Sequence, residues 1–272
     1  MNAGPTFLDR VRNDLRFRKD FLFLGLPRVR IPEDTGTPLH GEVVFVVTST
    51  VRPTMETLSY GLKRSTFSPE ERFEQTLASI ASIRRCVPGV EILLVDNSPL
   101  TTGERKTLAG RVERFLNLAD DPRAAGLRDT RSKAAPEAYM LLCALAVLER
   151  SPFKLLVKLS ARYELSDDFD LKRFPRERFV FRRVRFKPTW RIRFGLRRFL
   201  YPRGWRSARL YTVPRPLLGD YERILRRTLR GGLRGIPFEE ALVRWMPPGL
   251  AVDLDHLGIV GRYGPTGSLI QE

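Results

Sequence analysis

Short, continuous apolar runs alternate along this chain with stretches in which apolar residues recur every three or four positions. Glu42-Val-Val-Phe-Val-Val47 is β-branched almost throughout, the composition of a strand buried on both faces. Residues 70–86 set Phe73, Leu77, Ile80 and Ile83 at helical spacing, with Pro69 just ahead, where it suits a first turn. Val90-Glu-Ile-Leu-Leu-Val95 predicts a second buried strand, entered through a Pro88-Gly89 turn. Val112 to Leu118 reads equally as a strand or a helix end. A long helix is predicted from Pro136 to Arg150, and a further strand at Phe153-Lys-Leu-Leu-Val-Lys-Leu159. Strand and helix alternating in this way predict an α/β protein with a largely parallel sheet. After residue 171 the rhythm changes. Arg178–Val184 and Ala208–Val213 read as single strands that pair antiparallel, followed by helices near 215–230 and 237–246. The expected organisation is an arm over 1–40, a half over 41–170 and a more irregular half over 171–272, the two halves forming one continuous domain.

Composition narrows the class. Hydrophobic residues make up 42% of the 272 positions, enough for a packed core and too many for a disordered chain. Cys86 and Cys143 are too few for a disulfide framework or a zinc site, and read as thiols in a reducing compartment. His40 and His256 are too far apart to form a His-x-x-x-His metal pair. The longest apolar run, Met140 to Leu148, falls well short of the roughly 18–20 residues that cross a bilayer. Met1 to Lys19 is charged throughout, without the apolar core of a signal peptide. The expectation is a cytoplasmic protein, at most peripheral at the inner membrane face.

Charge adds a local feature. The chain has 48 Lys and Arg against 31 Asp and Glu, a net charge of +17. Residues 171–210 hold 15 of the bases and one acid, so +14 of that excess sits in a single segment. Its bases alternate with Phe174, Phe179, Phe181, Phe186, Trp190, Phe194, Phe199, Tyr201 and Trp205. Such a segment suits an anionic membrane surface or an anionic acceptor. It also suits arginines paired to acids elsewhere, or nucleic acid, for which no recognition motif is present.

In an open parallel sheet, ligands bind beyond the C-terminal strand ends. Three of those ends are polar here: Thr48-Ser49-Thr50-Val-Arg52, Asp96-Asn97-Ser-Pro, and Ser160-Ala-Arg162-Tyr-Glu. Together they would line one crevice suited to a nucleotide, with Asp96 on a base edge or ribose and Thr48 or Ser49 on the base. Each alone is an ordinary strand-end turn. Neither a Gly-x-Gly-x-x-Gly nor a Gly-x-x-x-x-Gly-Lys-Ser/Thr string occurs, which argues against dinucleotide and P-loop sites.

In order, "VVFVVTSTVRP", a helix with "QTLASI", "EILLVDNSP", "RSKAAPEAYMLLCAL" and "FKLLVKLSARYELSDDF" resemble GT-A fold glycosyltransferases of the family-2-like class. The resemblance spans roughly residues 41–270. It implies a Rossmann-like nucleotide-binding half, a more irregular acceptor half, and a mixed, mostly parallel sheet flanked by helices. It further implies sugar transfer from a nucleotide-sugar donor to an acceptor hydroxyl, as in bacterial surface-glycan synthesis, with a glycan or lipid-linked acceptor. In that class the fourth strand ends in a metal-binding Asp-x-Asp. Here Ser160-Ala161-Arg162 occupies its place, with Leu165 and Phe169 following, so this chain resembles a subgroup carrying a Lys-Leu-Ser-[Gly/Ala]-Arg-Tyr string.

Without those carboxylates another cation must neutralise the diphosphate. Arg162 is the first candidate, because a guanidinium pairs bidentately with phosphate. Lys133, Lys158 and Ser160 are helpers; strand alternation puts Lys158 and Ser160 on one face, joined by Arg162 only if the strand continues. No cofactor is expected unless Asp168-Phe-Asp170 is a displaced Asp-x-Asp holding Mn²⁺ or Mg²⁺. Similarity to inverting members places a general base at Glu239 or Glu240, which follow Pro237 at a helix start where acids are also favoured by the helix dipole. His256 is expected near the donor phosphate or in a capping role, and the glycines from Gly261 to Gly267 near a phosphate or in turns. Two alternatives stay open: a nucleic-acid-binding α/β protein, and a GT-A-like domain that binds without catalysis.

Overall fold

The computed structural model describes residues 39–53, 65–130, 132–184 and 205–272. The first half forms β1 (Val43–Ser49), α1 (Pro69–Cys86), β2 (Glu91–Asp96), α2 (Thr102–Ala109), β3 (Arg114–Asn117), α3 (Pro122–Arg128), α4 (Ala134–Leu148), β4 (Leu155–Ser160) and β5 (Tyr163–Leu165). The second adds β6 (Phe179–Val184), β7 (Trp205–Arg206), β8 (Leu210–Pro214), α5 (Leu218–Leu233), α6 (Phe238–Arg244), β9 (Ala251–Leu254), β10 (Ile259–Arg262) and β11 (Leu269–Gln271). The ambiguous 112–118 stretch is strand β3, parallel to β2.

β3, β2, β1 and β4 lie side by side in parallel, and the sheet continues through β8, β6 and β7. β8 runs antiparallel to β4, and the two single strands of the second half meet antiparallel at Val180 and Thr212. β9 joins β6 in parallel. The result is the expected mixed, mostly parallel sheet flanked by helices. A small sheet, β11-β10-β5, stands beside it.

The continuous apolar runs are explained by two-sided burial. Val44 and Val46 of β1 pack into one core with α4 and α5, while Phe45 and Val47 face a second core under α1. The two cores therefore need opposite faces of one strand, and no polar position can be spared in between. α4 is apolar nearly all round, because twelve of its residues are buried between the sheet and α5. α1 starts on a reciprocal cap: Ser68 Oγ accepts from the Glu71 N–H at 3.2 Å, and Glu71 accepts from the Ser68 N–H at 2.7 Å.

Two close approaches hold the parts near the strand ends. A Cβ on Gly232 of α5 would stand 2.7 Å from the backbone nitrogen of Ala135, at the first turn of α4. A Cβ on Gly261 of β10 would stand 2.4 Å from the carbonyl oxygen of Arg162. Both glycines seat backbone directly on backbone, a contact any side chain would break.

Candidate functional site

β1 and β4 end together, with Thr48 opposite Ser160. Past that point the chains leave the sheet and open a crevice made of two adjoining hollows, which share Lys133, Glu137, Ser160 and Arg162. One hollow runs over Thr48, Ser49 and Thr50 to Arg72 and Thr76 on α1. The other runs toward Tyr163, Arg209, Glu239 and Tyr263. The C-terminal ends of the parallel strands thus meet the start of α4 and the start of α6 in one place.

The second hollow interleaves cations and rings. The Arg209 guanidinium lies 5.5 Å from the Tyr163 ring centre and 5.9 Å from that of Tyr263. Lys133 Nζ sits 5.7 Å over Tyr263, and the Arg162 guanidinium 6.0 Å over Tyr163. Against these three cations stands Glu239, whose carboxyl is pushed above the usual range by burial. Its own backbone N–H pulls the other way, Glu137 adds to the rise, and Arg209 and Lys133 oppose it. A carboxyl whose proton affinity is raised by burial, beside cationic side chains, is suited to accept a proton. Glu240, its neighbour, is buried and lines neither hollow.

Lys158 lies beneath the crevice. Its side chain is fully buried, with Nζ paired to Glu137 and donating at 2.6 Å to both Ser160 Oγ and the Ala208 carbonyl. Burial lowers its affinity for the proton and Glu137 opposes that, so the ammonium is spent inside the protein. Strand alternation does bring Lys158 and Ser160 together, as their hydrogen bond shows. β4 stops at Ser160, and Arg162 enters the crevice from the turn that follows. Its guanidinium makes no hydrogen bond among the described residues.

Other residues singled out in the sequence are set apart from the hollows. Asp96 is fully buried, and its carboxylate accepts from the Ser98 N–H at 2.7 Å, the Ser98 hydroxyl and the Val51 N–H at 3.2 Å. It ties the β2 turn to the end of β1 and lines neither hollow. Asn97 is also buried, and its Oδ1 accepts from Thr50 Oγ1 at 2.8 Å. Arg52 pairs with Glu104 of α2 at 3.0 Å. His256 pairs with Asp168 outside the crevice.

The same contacts bear on a cation. Asp168 takes Ser166 and His256, while Asp170 caps the turn at the Lys172 N–H, 2.9 Å away. Phe169 is buried between them. Among the described residues no three His, Cys, Asp or Glu side chains converge. The crevice's own carboxylates, Glu137 and Glu239, stand among Lys158, Lys133, Arg162 and Arg209, a donor set that does not fit Mn²⁺ or Mg²⁺.

Of the basic segment, residues 185–204 lie outside the described residues, including Phe186, Trp190, Phe194, Phe199 and Tyr201. Some of the described arginines at its edges pair with acids, Arg182 with Glu272 at 2.8 Å and Arg206 with Asp253 at 2.9 Å. No helix among the described residues is long and apolar enough to cross a membrane. Cys86 and Cys143 are free thiols, and burial pushes that of Cys143 up to about 12.

No protein-family model and no curated protein matches the chain. Solved structures that overlap it include glycosyltransferases. The mannosyltransferase Ktr4p from S. cerevisiae overlaps at a TM-score of 0.44 and 13% identity, over 94% of this chain and 79% of its own. The galactosyltransferase LgtC, solved with donor and acceptor sugar analogs, gives 0.45 and 10%, over 77% and 72%. Mouse xyloside xylosyltransferase 1 gives 0.42 and 12%, over 80% and 85%. With overlaps this loose, the functional reading rests on the crevice itself.

Arg209, Tyr263, Glu137 and Arg72 line the crevice without having been singled out as site residues in the sequence, and they join Tyr163 of the Lys-Leu-Ser-Ala-Arg-Tyr string. Arg209 reaches it because its carbonyl accepts from the Ser160 N–H at 2.8 Å as β8 pairs beside β4. Only that long-range strand pairing places it there.

Proposed function

We propose that the chain is a glycosyltransferase that moves a sugar from a nucleotide-sugar donor to an acceptor hydroxyl. The observation that supports it is the opposition, in one crevice at the parallel strand ends, of Lys133 and Arg162 to a carboxyl, Glu239, raised by burial. The nucleoside would lie over Thr48, Ser49 and Thr50, with Arg72 and Thr76 at its edge. The diphosphate would lie over Ser160, between Lys133 and Arg162. Glu239 would take the acceptor hydroxyl proton as that oxygen bonds to the anomeric carbon. The bond from the anomeric carbon to the diphosphate oxygen breaks with its electron pair, and the two cations take up the charge that appears. Attack opposite the leaving group inverts the anomeric centre. In this reading Glu239 is the base rather than Glu240, the chemistry is metal-independent, and Lys158 and Asp96 support the crevice from behind. The acceptor is a glycan or lipid-linked sugar of a surface polymer, reached at an anionic membrane face through the basic segment.

The test is a thermal-shift panel of nucleoside diphosphates and their sugars, with and without manganese, followed by transfer assays with chelator present. A ligand at about 100 times its dissociation constant raises stability by roughly 2.7 kcal/mol. Stabilisation by one nucleoside diphosphate, and transfer that survives EDTA, are the expected results. If no member of the panel stabilises the protein, the reading fails.

A further inference from the structure

The crevice holds a third cation whose anchoring is unusual. Arg209 Nε donates to Tyr163 Oη at 3.0 Å, and Nη1 is paired with the Glu272 carboxylate. Nη2 carries no hydrogen bond among the described residues, although the side chain lines the hollow that also holds Lys133, Arg162 and Glu239. Glu272 is only 1% exposed. Its carboxylate also accepts from Arg182 Nη1 at 2.8 Å and from Ser207 Oγ at 2.7 Å. Its backbone exchanges both hydrogen bonds with Ile259, at 2.7 and 2.8 Å. A buried acid fixed by two arginines, a hydroxyl and a strand is a rigid anchor. One of those arginines also donates to the Asp255 carbonyl at 3.1 Å, and the other is a wall of the crevice.

We infer that Glu272 is a positioning residue that holds Arg209 so that its unbonded Nη2 edge receives a phosphate oxygen of the donor. This rests on the donor reading above and deepens it, giving the diphosphate a cation from just ahead of β8 beside those at the start of α4 and in the turn after β4. Tethering two of the three guanidinium nitrogens removes most of the side chain's rotational freedom before the ligand arrives. Tyr163 serves the same end from the other side, and its ring is the surface on which the guanidinium lies.

The sign of one substitution separates positioning from simple charge. Glu272→Gln removes a negative charge close to the crevice, so Coulomb attraction alone would make an anion bind more tightly. Positioning requires the opposite. The measurement is calorimetric titration of the full chain with inorganic pyrophosphate and with the nucleoside diphosphates, for wild type, Arg209→Gln, Glu272→Gln and the double variant. Arg209→Gln is expected to weaken pyrophosphate about tenfold, the usual loss of one charge-assisted contact. Glu272→Gln is expected to weaken it about threefold or more, and the double variant to match Arg209→Gln alone, because the two act through one group. Arg209→Lys, which keeps the charge but loses the fork, is expected to recover less than half of the loss. Should Glu272→Gln fail to fold, Ser207→Ala loosens the same anchor and is expected to weaken pyrophosphate about twofold.

Tighter or unchanged pyrophosphate binding in Glu272→Gln, or additive losses in the double variant, overturns the inference. Wild type and Arg209→Gln binding a nucleoside diphosphate equally well overturns it while the donor reading stands. Pyrophosphate binding that depends on Arg209, with no nucleoside diphosphate bound at all, keeps the anchored arginine and sinks the donor reading. Wild type that binds none of these ligands sinks both.

Discussion

β2 and β4 end side by side with β1 between them, and each runs from a buried apolar stretch into polar residues. At β2 the side-chain oxygens are consumed, while Asn97 Nδ2 is buried without a hydrogen-bond partner among the described residues. Asp96 takes two backbone N–H groups and a hydroxyl, and Asn97 takes Thr50, so the turn is sealed. At β4 Ser160 Oγ accepts from Lys158 Nζ beneath it, but the Arg162 guanidinium stays available and faces the opening. The difference is one of supply. A strand end becomes a binding surface when a neighbouring layer meets the backbone's demands and leaves the side chains over. β8 provides that layer next to β4.

The sharpest test of this contrast falls on the open side. Glu239→Gln is expected to cut sugar transfer by roughly 10²–10⁴, the usual worth of a positioned proton acceptor, while nucleoside diphosphate binding is retained. Equal transfer by both proteins would remove Glu239 from the chemistry. Its pH behaviour follows from the raised carboxyl. Transfer rises as pH climbs through the Glu239 value, which lies above that of an ordinary carboxylate. Stability runs the other way. The folded state holds this proton to higher pH than the unfolded chain does. The group therefore favours folding most below its unfolded pKa, and that contribution is lost as pH rises through the folded value. Melting curves should show Glu239→Gln more stable than wild type at pH 8, with the gap closing toward pH 4.

Beneath the opening, Lys158→Met leaves Glu137 without its partner and should cost about 3–5 kcal/mol in urea unfolding. Replacing both residues with Met should return much of that. On the sealed side, Asp96→Asn puts an amide where three donors converge and should cost about 1–3 kcal/mol. The folded variant should still bind nucleoside diphosphate as wild type does; a large loss of affinity would place Asp96 in contact with ligand and end the contrast. Arg162→Ala should do the reverse, weakening that binding about tenfold with little change in melting temperature. The smallest effect belongs to His256→Ala, whose exposed pair with Asp168 is worth under about 1 kcal/mol and which should leave binding unchanged.

The parallel half was legible because its physics is local. Val44 to Val47 must satisfy two cores, so every position is apolar and the strand announces itself. Pro69 and the spacing of Phe73, Leu77, Ile80 and Ile83 mark a helix from neighbours in sequence alone. Even Glu239 was within reach, as an acid after Pro237 at a helix start. Arg209 was not. It sits in a segment where basic residues are common, and it differs from its neighbours only through the pairing of β8 with β4 and the bond to Glu272, 63 residues away. The burial of Lys158 was hidden for a related reason. Alternation fixes which face a side chain takes, but Glu137, which draws that ammonium inward, comes from another element. Asp96 looked like a ligand because the sequence does not show that Val51 bends back to claim it.

Gly232 belongs to α5, in the second half of the chain, and it rests on Ala134, Ala135 and Ser132 in the first. The residues it touches adjoin Lys133. The two halves are therefore keyed to each other at a point with no room for a methyl group. A chimera built by exchanging residues 171–272 would take Glu239 from one parent and Lys133 from the other. Whether residue 232 remained a glycine would decide whether two such halves could be seated on each other at all.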